Sequence, residues 1–283
     1  MGYDVWKTLF TDDFDCNKYL YHYTNVDKAI KIICSEQLIF SPITNTNDPT
    51  ESKLRLVYDC VRSPDVDRKI NTVNTYFKNN YHCIRLISFS QDRQLSNEER
   101  AFSVDVHNNH IRDKYYDITG RGFALPRMWA QYASNNEGVC FIINKDIFNK
   151  KISEYATYCG KPVTYGAFFP CSKIDEKQLE LLHNKISAGQ FVLYDLIKED
   201  NFFVDYEFFY KLNDWENERE FRYITLLNSE ETVFSIKQLF DFVEGIVIGE
   251  KILPAYETVI SKLVDNRCKI KKIFFNSQIC KVE

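Results

Sequence analysis

Trp215-Glu216-Asn217-Glu218-Arg219-Glu220-Phe221-Arg222-Tyr223 reads as the opening of a β-strand that spans Asn217 to Leu226. Successive strand side chains alternate between faces, so Phe221 and Tyr223 share one face while Glu218, Glu220 and Arg222 line the other. Alternate residues on one face stand roughly 7 Å apart, which sets two carboxylates and a guanidinium in a row. A fixed row of this kind suits a site that must stabilise developing positive charge. A solvated face with its charges paired along it produces the same pattern and contributes little to stability.

Outward from this stretch, short strands are read at 19–23, 38–40, 84–90, 138–143, 245–249, 269–275 and 278–281. Helical spacing covers 51–61, 66–79, 127–133, 174–198, 202–210 and 255–264. Thr24 is placed as the cap of a helix whose first turn holds Asp27 and whose buried stripe is Val26, Ala29, Ile30 and Ile33. The residues from Gln91 to Pro126 form a long polar stretch of the sort that carries function in a compact domain. Strands and helices are mixed without regular β-α alternation. That predicts an α+β class, one mixed domain over residues 1–283, and a helical insertion near 170–212.

Composition narrows the function classes. The chain has 283 residues, 45% hydrophobic and 15% aromatic, enough to bury a sizeable core. A net charge of −4 lacks the basic excess of a nucleic-acid-binding chain. The nine cysteines are scattered with no C-x-x-C pair, which fits neither a zinc site nor a disulfide framework and predicts free thiols in a reducing cytosol. The stretch Met1 to Asp15 has no apolar core of signal-peptide length. No run approaches the roughly 20 apolar residues of a membrane span, so a soluble, cytoplasmic protein is expected.

Further constellations could carry chemistry. Tyr21-His22-Tyr23-Thr24 sits where a strand passes into a helix, so His22 faces away from Tyr21 and Tyr23. A histidine there can bind a sugar hydroxyl, or it can pin the strand to a neighbouring loop. Asn45-Thr46-Asn47-Asp48-Pro49-Thr50-Glu51 is a side-chain-stabilised turn with Asp48 as a structural cap, and could shape a pocket wall near His22. Trp129 and Tyr132 are three apart on a helix and share a face, either for stacking a flat ring or as core anchors. His22, His82, His107, His110 and His183 form no metal-ligand pattern, although His107 and His110 have H-x-x-H spacing.

Taken in order, H-Y-T at 22–24, N-D-P-x-E at 47–51, S-F-S at 88–90, W-x-x-Y at 129–132, W-x-x-E-x-E-x-R at 215–222 and I-V-I-G at 246–249 resemble an uncharacterised bacterial domain-of-unknown-function family over about residues 19–280. More remotely, a strand ending in His, a helix with I-x-x-I spacing and a later E-x-E resemble ADP-ribosyltransferases of the DNA-modifying toxin type. That resemblance implies a central split or mixed β-sheet and NAD as co-substrate. It implies that His22, with Tyr23 and Thr24, binds a ribose, that Ser88 or Ser90 lies on the supporting strand, and that Trp129 or Tyr132 stacks the nicotinamide. Glu220 becomes the main catalytic carboxylate, Glu218 orients the acceptor, and Arg222 holds the Glu or the pyrophosphate. The acceptor is then nucleic acid or protein, and the protein a toxin or phage-defence effector. A non-catalytic nucleotide-sensing or interaction module is the first alternative and a nuclease the second.

Overall fold

A computed structural model describes residues 15–48, 51, 56–94, 96, 98, 115–116, 120–168, 172–190, 192–199, 202–227, 233–276 and 279–282. The architecture is α+β, built on a mixed, mostly antiparallel sheet with several helices. Strand β1 (Tyr19–Thr24) pairs antiparallel along its whole length with β6 (Val139–Asn144), which pairs with β13 (Val243–Ile248). These interior strands are rich in β-branched and aromatic residues and are covered on both faces, so hydrophobic side chains fill both alternations. Gly138 admits β6 here, because a Cβ on it would lie 2.3 Å from the Thr24 carbonyl oxygen. β14 (Lys269–Asn276) runs parallel to β13, and the helix Pro254–Val264 lies between them in the chain.

The other half of the sheet is organised around β4 (Ile84–Gln91) and β11 (Glu220–Leu226), antiparallel from Ser90↔Glu220 to Ile84↔Leu226. β7 (Tyr158–Pro162) continues beyond β11, and β2 (Gln37–Pro42) joins the opposite edge of β4 only at Ser41↔Leu86 and Pro42↔Arg85. The two halves meet where β1 pairs with β4 at Leu20↔Gln91 and Tyr21↔Ser90 alone, after which β1 follows β6 away. The sheet therefore forks. On that edge of β4, Ile87, Ser88 and Phe89 have no strand partner among the described residues.

One core fills the face that packs against the helices Val26–Ser35, Lys145–Ser153 and Pro254–Val264, with Phe89, Phe141, Phe221 and Tyr223 at its centre. The opposite face holds Tyr21, Tyr23, Phe123 and Trp129. A third cluster joins the helices Pro64–Asn80, Glu176–Ser187, Val192–Glu199 and Phe202–Phe208 to the outer ends of β4 and β11.

Several local expectations are corrected. Asn25, not Thr24, caps the first helix, accepting from the Lys28 amide, because Thr24 is still paired in β1. Within 51–61, residues Leu56–Asp59 are a strand parallel to Ser172–Asp175, so tertiary pairing overrides the helical spacing. The single helix expected over 174–198 is two: Ile174 is in the strand, Asp175 caps the first helix through a capping box, and Gly189 at φ +74 follows its end.

Asp92, just after β4, makes one stability prediction. Its Oδ2 accepts from the Tyr21 hydroxyl at 2.6 Å and its Oδ1 from the Gly122 amide at 2.7 Å. Burial raises its carboxyl to about 7, against those two hydrogen bonds and the charges of Arg121 and Arg219. A carboxyl raised in the folded state favours folding most below its unfolded value, and that contribution is lost as pH rises through about 7. Asp92→Asn should flatten the wild-type stability slope between pH ~4 and ~7, measured by urea unfolding across that range. Parallel slopes for the two proteins would refute the assignment.

Candidate functional site

The fork between β1 and β4 opens into a cleft of about 420 Å³, within the usual range for small-molecule sites. Its walls are His22–Thr24 of β1, Leu86–Ser90 of β4, one side of the first helix with Lys28 and Lys31, and the turn Asn45–Asn47 with Glu51. Tyr132, Lys211, Glu218, Glu220 and Arg222 close the far side.

His22 is part-buried and reaches across the fork, with Nδ1 3.2 Å from the Ser88 carbonyl oxygen. A carbonyl only accepts, so Nδ1 carries the proton and Nε2 of the neutral ring is left as an acceptor. Burial lowers its pKa, opposed by the Ser88 hydrogen bond and assisted by Lys28, which favours that neutral form. The ring packs edge-on to Phe89, 5.7 Å between centroids, on the face opposite Ser90 and Glu220. His22 and Glu220 thus come from alternate faces of the sheet, yet both line the cleft because it lies in the fork.

The carboxylates form a buried ion cluster. Lys211 Nζ, on β10 (Tyr210–Leu212), lies 2.9 Å from Glu218 Oε2 and 2.8 Å from Glu220 Oε2. Arg222 grips Glu220 through Nε to Oε1 at 2.5 Å and Nη2 to Oε2 at 3.0 Å. Its Nη2 also donates to Glu51 Oε1 and its Nη1 to the Phe208 carbonyl oxygen. Glu218 Oε1 accepts from the Tyr132 hydroxyl at 2.6 Å. Three carboxylates thus face two cations, all with side chains 5% exposed or less. Burial alone would raise Glu220, but the Arg222 and Lys211 charges outweigh it and hold the carboxyl well below the ordinary range.

This geometry overturns the solvated strand face, and with it the small contribution to stability that such a face would make. It also moves Glu218 off the strand. Residues Asn213–Glu218 form a 3₁₀ turn, and Arg219 in the left-handed region at φ 48 separates it from β11. Across that kink both glutamates reach the one lysine.

Other expected site residues divide. Ser90 lies in the cleft beside Glu220, its Oγ buried with no hydrogen-bond partner among the described residues. Thr24 is buried at the cleft wall, and Tyr132 also lines the cleft. Trp129 does not line the cleft: it is fully buried, donates from Nε1 to the Phe123 carbonyl oxygen at 2.8 Å, and packs on Tyr23. The Tyr23 hydroxyl donates to the Gly122 carbonyl oxygen, so its side chain serves the same core. Arg222 has its donors on Glu220, Glu51 and a backbone carbonyl, which makes it a holder of carboxylates rather than a phosphate ligand.

Lys211 is a site member that the sequence did not single out, and Glu51 has a part beyond the pocket wall expected of its turn. Lys211 comes four residues before Trp215, and its Nζ lies 4.8 Å from the centre of that ring. Glu51 closes N-D-P-x-E, and it lines the cleft with His22 and Asn45–Asn47, where the turn was expected to shape a pocket wall. His107 and His110 lie outside the described residues. Among the described residues no group of three or more His, Cys, Asp or Glu could hold a metal ion. No helix among them is long and apolar enough to cross a membrane.

Comparison with curated proteins and with solved structures finds no match. The family match is shorter than the resemblance drawn over about residues 19–280: it carries Tyr132, Lys211, Glu218, Glu220 and Arg222, whereas His22, Glu51 and Ser90 precede it. Residues 128–223 match the model of an uncharacterised family, described as Protein of unknown function (DUF2971).

Proposed function

We propose that the cleft binds NAD and that the protein is an NAD-dependent ADP-ribosyltransferase. The observation that carries this reading is the fork itself, which brings a neutral histidine acceptor, an aromatic ring and ionised carboxylates to one cleft. The split arrangement is in keeping with the sheet implied by the transferase resemblance. Lys28 and Lys31 on the helix side supply positive charge for the pyrophosphate, away from the anionic cluster. The Tyr132 ring offers a stacking surface for the nicotinamide.

In the proposed reaction the bond between the nicotinamide nitrogen and ribose C1′ breaks, its electron pair leaving with nicotinamide. Positive charge builds on the ribosyl ring, as in glycoside cleavage. Glu220, held ionised by Arg222 and Lys211, lies in the cleft to stabilise that charge, and Glu218 orients the acceptor. The acceptor, a nucleophile of nucleic acid or protein, forms the new bond to C1′ and gives up its proton to solvent. A toxin or phage-defence role belongs to the same proposal and follows from the resemblance.

Purified protein should bind NAD and release nicotinamide, followed by calorimetry and chromatography. His22→Ala should weaken binding by about 1–3 kcal/mol by leaving a ribose hydroxyl unpaired. Glu220→Gln, provided it melts as a folded protein, should retain binding and lose turnover, since its charge acts on the transition state. A second reading rests on one observation: both Glu220 oxygens are already engaged, as in a static binding module. Such a nucleotide-sensing module would bind NAD and leave it intact at any incubation time. No binding at millimolar NAD would sink both readings.

A further inference from the structure

Of the three carboxylates in the cluster, Glu220 has both oxygens on Arg222 and Lys211, and Glu218 has its two on Tyr132 and Lys211. Glu51 differs. Its Oε1 accepts from Arg222, but its Oε2 is buried with no hydrogen-bond partner among the described residues, and the residue is 2% exposed and lines the cleft. An unpaired buried carboxylate oxygen is costly unless a ligand or water completes it. The residue is also firmly placed, because its own carbonyl oxygen accepts from the buried Tyr81 hydroxyl at 3.1 Å.

Ser90, on β4, repeats the pattern. It is fully buried, lines the cleft, and its Oγ has no hydrogen-bond partner among the described residues. Ser90 stands opposite Glu220 in register, and Glu220 shares Arg222 with Glu51. Directly opposed residues share a face with Cβ atoms about 5 Å apart, so Ser90 stands beside the Glu220–Arg222 ion pair that Arg222 also links to Glu51.

We propose that Glu51 Oε2 and Ser90 Oγ form a subsite for a vicinal diol of a ribose-bearing ligand. The carboxylate oxygen can only accept, so it takes the hydrogen of one ligand hydroxyl. The serine hydroxyl both donates and accepts and so meets the second. Glu218 and Glu220 then act on the ligand through charge, and Glu51 is the carboxylate that touches it. The proposal rests on the NAD reading for its choice of sugar, but its test is separable from that reading.

The test uses the full chain with ADP-ribose as the binding probe in calorimetry, and NAD with nicotinamide release as the activity probe. Ser90→Ala removes a hydroxyl with no partner among the described residues, so its melting temperature should stay near wild type. Both Ser90→Ala and Glu51→Gln should weaken ADP-ribose roughly ten- to hundredfold, as expected when a buried ligand hydroxyl loses its partner. Should Glu51→Gln fail to fold, Ser90→Ala carries the comparison. Wild-type affinity in folded variants, with nicotinamide still released, would overturn the subsite and leave the transferase reading standing. Affinity lost in the variants while wild type releases no nicotinamide would support the subsite and remove the transferase. A wild type that binds neither probe would remove both.

Discussion

Arg222→Ala is expected to destabilise the protein by about 3–5 kcal/mol, the range for breaking a buried ion pair by removing one partner. Arg222 is 2% exposed and holds Glu220, Glu51 and the Phe208 carbonyl oxygen. Its loss leaves three buried carboxylates with Lys211 as their remaining cation in the cluster. Glu220→Gln should cost less, because Lys211 keeps Glu218 and Arg222 keeps Glu51, so no cation is stranded. Urea unfolding at neutral pH tests the order of the two. A cost for Arg222→Ala within about 1 kcal/mol, typical of an exposed pair, would mean that water reaches the cluster.

Phe221→Ala is expected to cost about 3–5 kcal/mol, the range for a buried aromatic truncated in a core. Phe221 is 4% exposed, its ring centroid lies 5.2 Å from that of Tyr223, and Lys145 Nζ stands 4.1 Å over its face. The residue also reports the register of β11. A one-residue slip would exchange Phe221 for the Glu220–Arg222 face and carry the ion cluster into the core around Phe89 and Phe148. A near-neutral variant would therefore count against both the core and the placement of the carboxylates. Because Phe221 and Arg222 occupy opposite faces of one strand, the double variant shows whether the two sides are coupled through it.

The alternation of β11, the strands read at 19–23, 84–90 and 138–143, each within a residue of its bounds in the fold, and the helical stripe Ala29–Ile33 were legible in the sequence. Period-two and period-3.6 burial are local properties, and each of these segments is long enough to show its own. The strand Leu56–Asp59 was not legible, because its partner Ser172–Asp175 is remote in the chain and its own pattern is too short to distinguish strand from helix. Nor could spacing tell that Trp129 turns into the core while Tyr132, three residues on, meets Glu218. The residue types and order that named His22, Ser90, Glu218, Glu220 and Arg222 were determined by the sequence alone. That they share a cleft was decided by where β1 parts from β4, a register between strands about seventy residues apart. The same packing excluded water from the charged row, so charges that read as a solvated face became a buried cluster in which each group depends on its partners.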